Sequence, residues 1–107
     1  MMTVTITKEE ALEIAEEAEA DAGYDITDYV GYYTIAEDED ADDNVDIAIN
    51  KDRDEKTHTE YYAIYISPLN YFYGEWVYTQ TLDVNELAEK ILETAKAVCE
   101  NKITFQD

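Results

Sequence analysis

The sequence predicts a two-layer α+β domain, an antiparallel four-stranded meander flanked by an N-terminal and a C-terminal helix in the order α-β-β-β-β-α. Three observations carry this. The same helix-start pattern occurs near both ends of the chain, the apolar period changes from helical to alternating between them, and short turn-forming stretches separate the alternating runs. At 107 residues the chain holds one core and forms a single domain, residues 1–107.

The first helix starts in "ITKEEA", where Ile6, Thr7, Glu10 and Ala11 take the staple, N-cap, N3 and N4 positions. Its apolar stripe, Ala11, Ile14, Ala15, Ala18 and Ala22, stops at Gly23, a natural C′ residue. The period then becomes two. "ITDYVGYYTIA" reads as a strand interrupted by Gly31, and "NVDIAIN" alternates Val45, Ile47 and Ile49 against Asn44, Asp46, Ala48 and Asn50. "YYAIYIS" and "YFYGEWVYT" are apolar and aromatic on both parities, with "SPLN" as the turn between them. The last helix starts in "LDVNEL", with Leu82, Asp83, Glu86 and Leu87 in the same four positions, and continues through Ala88, Ile91, Ala95 and Val98. Helices near residues 8–22 and 84–100 follow, on one face of strands that are consecutive and therefore antiparallel. "MTVTIT" and "KITFQD" are candidates for short edge strands.

The charge is extreme and uneven. A net charge of −20 lies well beyond the magnitude of roughly 2 to 8 that keeps a small domain soluble, and its self-repulsion costs stability. From Glu9 to Asn50 there are sixteen acidic and no basic side chains, so the interval between Lys8 and Lys51 lacks an internal counter-ion. Seven of these acids fall in the ten positions of "EDEDADDNVD", Glu37 to Asp46. Residues 1–50 carry a net charge of −15 and residues 51–107 one of −5. Such a surface repels nucleic acid and anionic membranes, and it attracts basic proteins, cationic peptides or metal ions.

Catalytic and metal-binding patterns are thin. From Asp38, the residues Asp40 and Asp42 match positions three and five of a calcium loop, but Asp43 stands where glycine is needed and Ile49 where the bidentate glutamate is needed. No dedicated metal or cofactor site is expected. His58 is the only histidine, set at a turn beside "KDRDEKT", and Cys99 is the only cysteine, placed in an apolar helical stripe as a small hydrophobe. No nucleophile motif or glycine-rich phosphate loop occurs, so the expectation is a protein without enzymatic activity. No basic n-region with an apolar run and no membrane-length segment is found, which points to the cytoplasm.

The tyrosines supply the other candidate surface. If Tyr62, Ile64 and Ile66 face the helices, Tyr61, Ala63 and Tyr65 lie on the opposite face, and in the next strand Phe72, Trp76 and Tyr78 oppose Tyr71, Tyr73 and Val77. Tyr61, Tyr65, Tyr71 and Tyr73 are therefore candidates for a contact surface on an open sheet face. The alternative is that cross-strand tyrosine pairs only stabilise the sheet.

The acids point to imitation of a nucleic acid. Duplex DNA carries about one negative charge per 1.7 Å of axis, and Glu9 to Asp21 place seven carboxylates on roughly 18 Å of helix. The expected contact residues are Glu9, Glu13, Glu16, Glu17 and Asp21 on the helix, Asp25 and Asp28 after it, and Glu37, Asp38, Glu39, Asp40, Asp42 and Asp43 in the acidic loop. In size, acidity, tyrosine content and order of elements the chain resembles the small acidic DNA-mimic inhibitors of phages and mobile elements, of the anti-CRISPR and anti-restriction type. That resemblance implies occupation of the basic nucleic-acid groove of an effector nuclease, in the host cytoplasm if phage-encoded, with no catalysis and no direct contact with nucleic acid or membrane. A homodimer is left open. The opening "ITKEEALEIA" separately resembles the first helix of PepSY-type domains, although the secretion signal usual for those is missing. The contrasting readings are an acidic adaptor for a basic protein partner and a small domain adapted to high salt.

Overall fold

The computed structural model describes residues 1–40, 43–68, 74–103 and 105. Its elements are β1 (Met2–Val4), α1 (Lys8–Asp21), β2 (Val30–Asp38), β3 (Asp43–Arg53), β4 (Glu60–Pro68), β5 (Glu75–Tyr78) and α2 (Val84–Cys99). The strands form one sheet in the order β1-β2-β3-β4-β5, antiparallel throughout. The α+β class, the meander and both helices agree with the sequence reading. The strand number does not, because the sheet has five strands.

The added strand is the edge-strand candidate in "MTVTIT". Three residues are too few to show a period, so only pairing identifies β1: Met2 stands opposite Asp38 and Val4 opposite Ala36, and the Thr5 amide extends the ladder by donating to the Ile35 carbonyl at 3.0 Å. At the other end, the described residues of "KITFQD" form no strand, and Ile103 and Phe105 pack half-buried against the core. Of the "SPLN" turn, Ser67 and Pro68 continue β4, while Leu69 and Asn70 lie outside the described residues.

Both helices begin where the cap residues require. In α1 the Thr7 hydroxyl accepts from the Glu10 amide at 3.1 Å and the Glu10 carboxylate accepts from the Thr7 amide at 3.0 Å, a complete capping box. In α2 only half of that box forms. Asp83 accepts from the Glu86 amide at 3.0 Å, but the Glu86 carboxylate turns away to the preceding loop. There it accepts from the Gln80 amide and from the Thr81 amide and hydroxyl at 3.0 and 2.7 Å. The C-terminus of α1 places Gly23 at C′ as expected, but without a left-handed turn. Ala22 is the C-cap and is already extended, so Gly23 serves the following loop, its amide bonding the Asp28 carbonyl at 2.8 Å. A Cβ on Gly23 would fall 1.8 Å from the Asp28 carboxylate, so a larger residue there would have to displace the exposed Asp28 side chain.

One core lies between the sheet and the helix layer. Val45, Ile47 and Ile49 of β3 stand opposite Pro68, Ile66 and Ile64 of β4. They pack with Ala11, Ile14, Ala15 and Ala18 of α1 and with Leu87, Ile91 and Ala95 of α2. Lys51, on the same parity as Ile49, reaches the helix layer and donates to the Glu19 carbonyl near the end of α1 at 2.8 Å. Irregularity is confined to β2, where the register shifts between Gly31 and Tyr33 and again between Thr34 and Ala36. Gly31 has φ of +151°, and a Cβ there would meet the Ala48 Cα and the Ile47 carbonyl at 2.9 Å, so glycine is required at this bulge. Among the described residues no helix is long and apolar enough to cross a membrane.

Candidate functional site

Most of the residues marked by the sequence fall on two surfaces, the exposed side of α1 and the sheet face turned away from it. Helix α1 buries a stripe of small residues, and that stripe directs everything else outward. Glu9, Glu10, Glu13, Glu16, Glu17, Glu19 and Asp21 are all exposed, and among the described residues no ion pair reaches any of them. Glu10 is committed to its cap, and Glu17 faces the half-buried Tyr33, whose phenol is pushed up to about 12 by burial and by its hydrogen bond to Glu17. The others point to solvent from a helix whose last turn contains no basic residue.

The acidic loop lies beyond the other end of this helix. β1 runs back from the β2–β3 connection toward the start of α1, pairing Met2 with Asp38 and Thr3 with Glu37. Three strand residues, about 10 Å, therefore separate the loop from the chain that enters the helix. Glu39 and Asp40 are exposed, while Glu37, Asp38 and Asp43 are half-buried. Asp38 stands opposite Asp43 across the β2–β3 pair. The Met1 amino group lies at this end, donating to Asp38 at 3.1 Å and Asp40 at 3.4 Å. Asp42 lies outside the described residues. Asp25 and Asp28 belong to the loop after α1, where Asp25 accepts from the Thr27 amide and hydroxyl, both at 3.0 Å. Those bonds hold its carboxyl below the usual aspartate range.

The second surface is the sheet face turned away from the helices. Register places Tyr61, Ala63 and Tyr65 of β4 beside Asp52, Asn50 and Ala48 of β3 on one side and beside Tyr78 and Trp76 of β5 on the other. The aromatic rings form a continuous ladder. Tyr61 meets Tyr78 edge-on at 5.7 Å, Tyr78 stacks on Trp76 at 6.4 Å and 8°, and Trp76 lies 4.9 Å from Tyr65. The predicted Tyr61 and Tyr65 are here. Tyr71 and Tyr73 lie outside the described residues, and in β5 the open-face parity belongs to Trp76 and Tyr78, since Val77 pairs with Ile64 on the core side.

The loop from Gly23 to Tyr29 borders this face and turns it into a groove. It is pinned at one end by Tyr24, whose hydroxyl donates to Glu60 while the Arg53 guanidinium sits 5.7 Å from its ring. Glu60 also accepts from Arg53 at 2.7 Å. Together the Tyr24 and Arg53 hydrogen bonds hold the Glu60 carboxyl below the usual glutamate range. One hollow of about 280 Å³ is lined by Ile26, Tyr29, Tyr32, Ala48, Asn50, Tyr65 and Trp76. A second of about 270 Å³ adjoins it through Ile26, Asn50 and Trp76 and is completed by Tyr24, Asp52, Ala63 and Tyr78. Tyr24, Ile26, Tyr29 and Tyr32 were not singled out by sequence reasoning. The signal was present in "GYDITDYVGYY", where exposed aromatics flank a glycine that permits a bulge.

Among the described residues no group of three or more His, Cys, Asp or Glu could hold a metal ion. His58 is exposed in the β3–β4 turn at φ of 60°, and burial, with the Glu100 charge, pushes the Cys99 thiol up, away from thiolate chemistry. Comparison of the chain with protein-family models, with curated proteins and with solved structures returns no match in any of the three.

Proposed function

We propose that this chain is a non-enzymatic DNA mimic that occupies the basic, nucleic-acid-binding groove of a protein partner, an effector or restriction nuclease, with the acidic layer formed by α1 and the β2–β3 connection. The observation that carries the reading is the state of the α1 carboxylates. Seven of them are exposed, and no Lys or Arg side chain among the described residues pairs with any. They spread over 14 helical residues, about 21 Å of axis, a charge spacing close to three ångströms. One DNA strand spaces its phosphates by about 3.4 Å. The helix therefore offers a basic groove nearly the charge density of a single phosphate strand.

A run of exposed carboxylates without Lys or Arg partners destabilises the fold that carries it, and a basic partner removes that cost on binding. Release of the anions held by the partner's Lys and Arg side chains adds to the affinity and makes it steeply salt-dependent. The test is displacement of a labelled DNA duplex from basic nucleases as salt is raised from 0.05 to 0.3 M, roughly the range over which such contacts are screened. The reading predicts competition with DNA and an affinity that falls linearly in log salt. A flat salt profile, or binding that leaves the DNA in place, would contradict it.

A further inference from the structure

We infer that the groove on the open sheet face is a second binding site, one that takes arginine side chains presented by an extended basic segment of a protein partner. The inference rests on the proposed function only for the sign of the partner's charge, and its residues are separate from the α1 carboxylates.

Size is the first argument. Each hollow, about 280 and 270 Å³, falls just short of the roughly 300 Å³ at which small-molecule pockets begin, which suits a side chain better than a cofactor. Chemistry is the second. Tyr29, Tyr32, Tyr65 and Trp76 provide aromatic faces to one hollow, and a planar guanidinium stacks on such faces better than an ammonium does. At the floor shared by both hollows lies Asn50, only 6% exposed. Its Nδ2 donates to the Lys51 carbonyl at 2.9 Å, which leaves Oδ1 as an acceptor for a guanidinium N–H.

Charge is the third argument. Among the described residues no lysine or arginine lines either hollow. Asp52 borders the second, and Asp46, held by the Thr34 hydroxyl at 2.7 Å, acts on Tyr32 at the mouth of the first. The fold already uses the same recognition once, where Arg53 lies over the Tyr24 ring at 5.7 Å with Glu60 as its carboxylate. An apolar segment would satisfy the rings but leave Asn50 Oδ1 and the acidic rim without use, and a neutral sugar, whose hydroxyls can donate to Asn50 Oδ1, would gain no charge attraction from Asp52 and Asp46.

Trp76 is the only tryptophan, so its fluorescence reports on this groove alone. The probe is the peptide acetyl-Gly-Arg-Gly-Arg-Gly-amide at 0.15 M salt, compared with the same peptide carrying citrulline, a neutral isostere, in place of arginine. The arginine peptide should shift the Trp76 emission saturably at millimolar or lower concentration, and the citrulline peptide should not. The double variant Tyr29→Ala/Tyr32→Ala, at two exposed positions, should weaken binding by about five-fold or more, the size of one or two cation–π contacts, with an unchanged circular dichroism spectrum as the check that it folds. The triple variant Glu13→Gln/Glu16→Gln/Glu17→Gln should bind the short peptide nearly as the unmodified chain does, which separates this site from the acidic helix. Equal binding of the citrulline peptide, no emission change with either peptide, or loss in the helix variant with retention in the tyrosine variant would overturn the assignment.

Discussion

Glu86 shows how one carboxylate can tie a helix start to the loop before it. Burial raises its pKa, but the bonds from Gln80 and Thr81 outweigh burial and hold it below the usual glutamate range. A depressed acid contributes stability that is present above its unfolded value and is lost as pH falls through the folded one. Glu86→Gln should therefore flatten the decline of stability below about pH 4, as acid titration followed by circular dichroism would show. Tyr33 behaves in the opposite sense. Its phenol, raised from the ordinary 10 to about 12, contributes stability that is complete below pH 10 and lost as pH rises toward 12, and Tyr33→Phe should weaken that alkaline dependence. At this scale the sequence was read well where a residue acts on its own helix, as Thr7 and Asp83 do. It was read poorly where a side chain crosses to another segment. The pattern at Glu86 fits a capping box as well as a loop clamp, and only the position of Thr81 decides between them.

At the scale of elements, period decided what was legible. The helices at 8–21 and 84–99 and the strands β3 and β4 repeat long enough for their buried faces to be counted, and their core parities agree with the expected ones. Leu87 and Ile91 are fully buried, so truncating either to Ala should cost roughly 2 to 5 kcal/mol in chemical denaturation. β1 was legible only as the edge-strand candidate in "MTVTIT", because a three-residue strand has no measurable period and owes its place to pairing with Ala36 and Asp38. The open-face groove escaped for a related reason. Its β4 rungs follow from the alternation of that strand, but the β5 side was expected at Tyr71 and Tyr73 and not at Trp76 and Tyr78, and the Gly23–Tyr29 loop that walls it is placed by long-range contacts of Tyr24 with Arg53 and Glu60. Gly31 marks the bulge beside this wall. Gly31→Ala should cost on the order of 1 to 3 kcal/mol, because it combines a left-handed φ with a backbone approach of 2.9 Å.

For the molecule as a whole, electrostatics oppose the fold. A net charge of −20 on a chain of 13.4 Å radius of gyration places most carboxylates within a few Debye lengths, about 10 Å each at 0.1 M, of one another. Added NaCl should raise the melting temperature modestly from a state already folded at low salt. A protein unfolded below molar salt would instead support the salt-adapted reading. The central claim is that charge is used at a place, the α1 layer, and not merely in total. Helix α2 lies in the same layer but is partly compensated, with Lys90 4.0 Å from Glu93 and Lys102 3.1 Å from Glu100. The most direct measurement is displacement of a labelled DNA duplex from a panel of effector and restriction nucleases by the unmodified chain and by two charge-reversed variants. Glu13→Lys/Glu16→Lys/Glu17→Lys should abolish displacement, while Glu89→Lys/Glu93→Lys/Glu100→Lys, an equal change in net charge, should largely preserve it. Equal losses from both variants, or no nuclease displaced by the unmodified chain, would contradict the account.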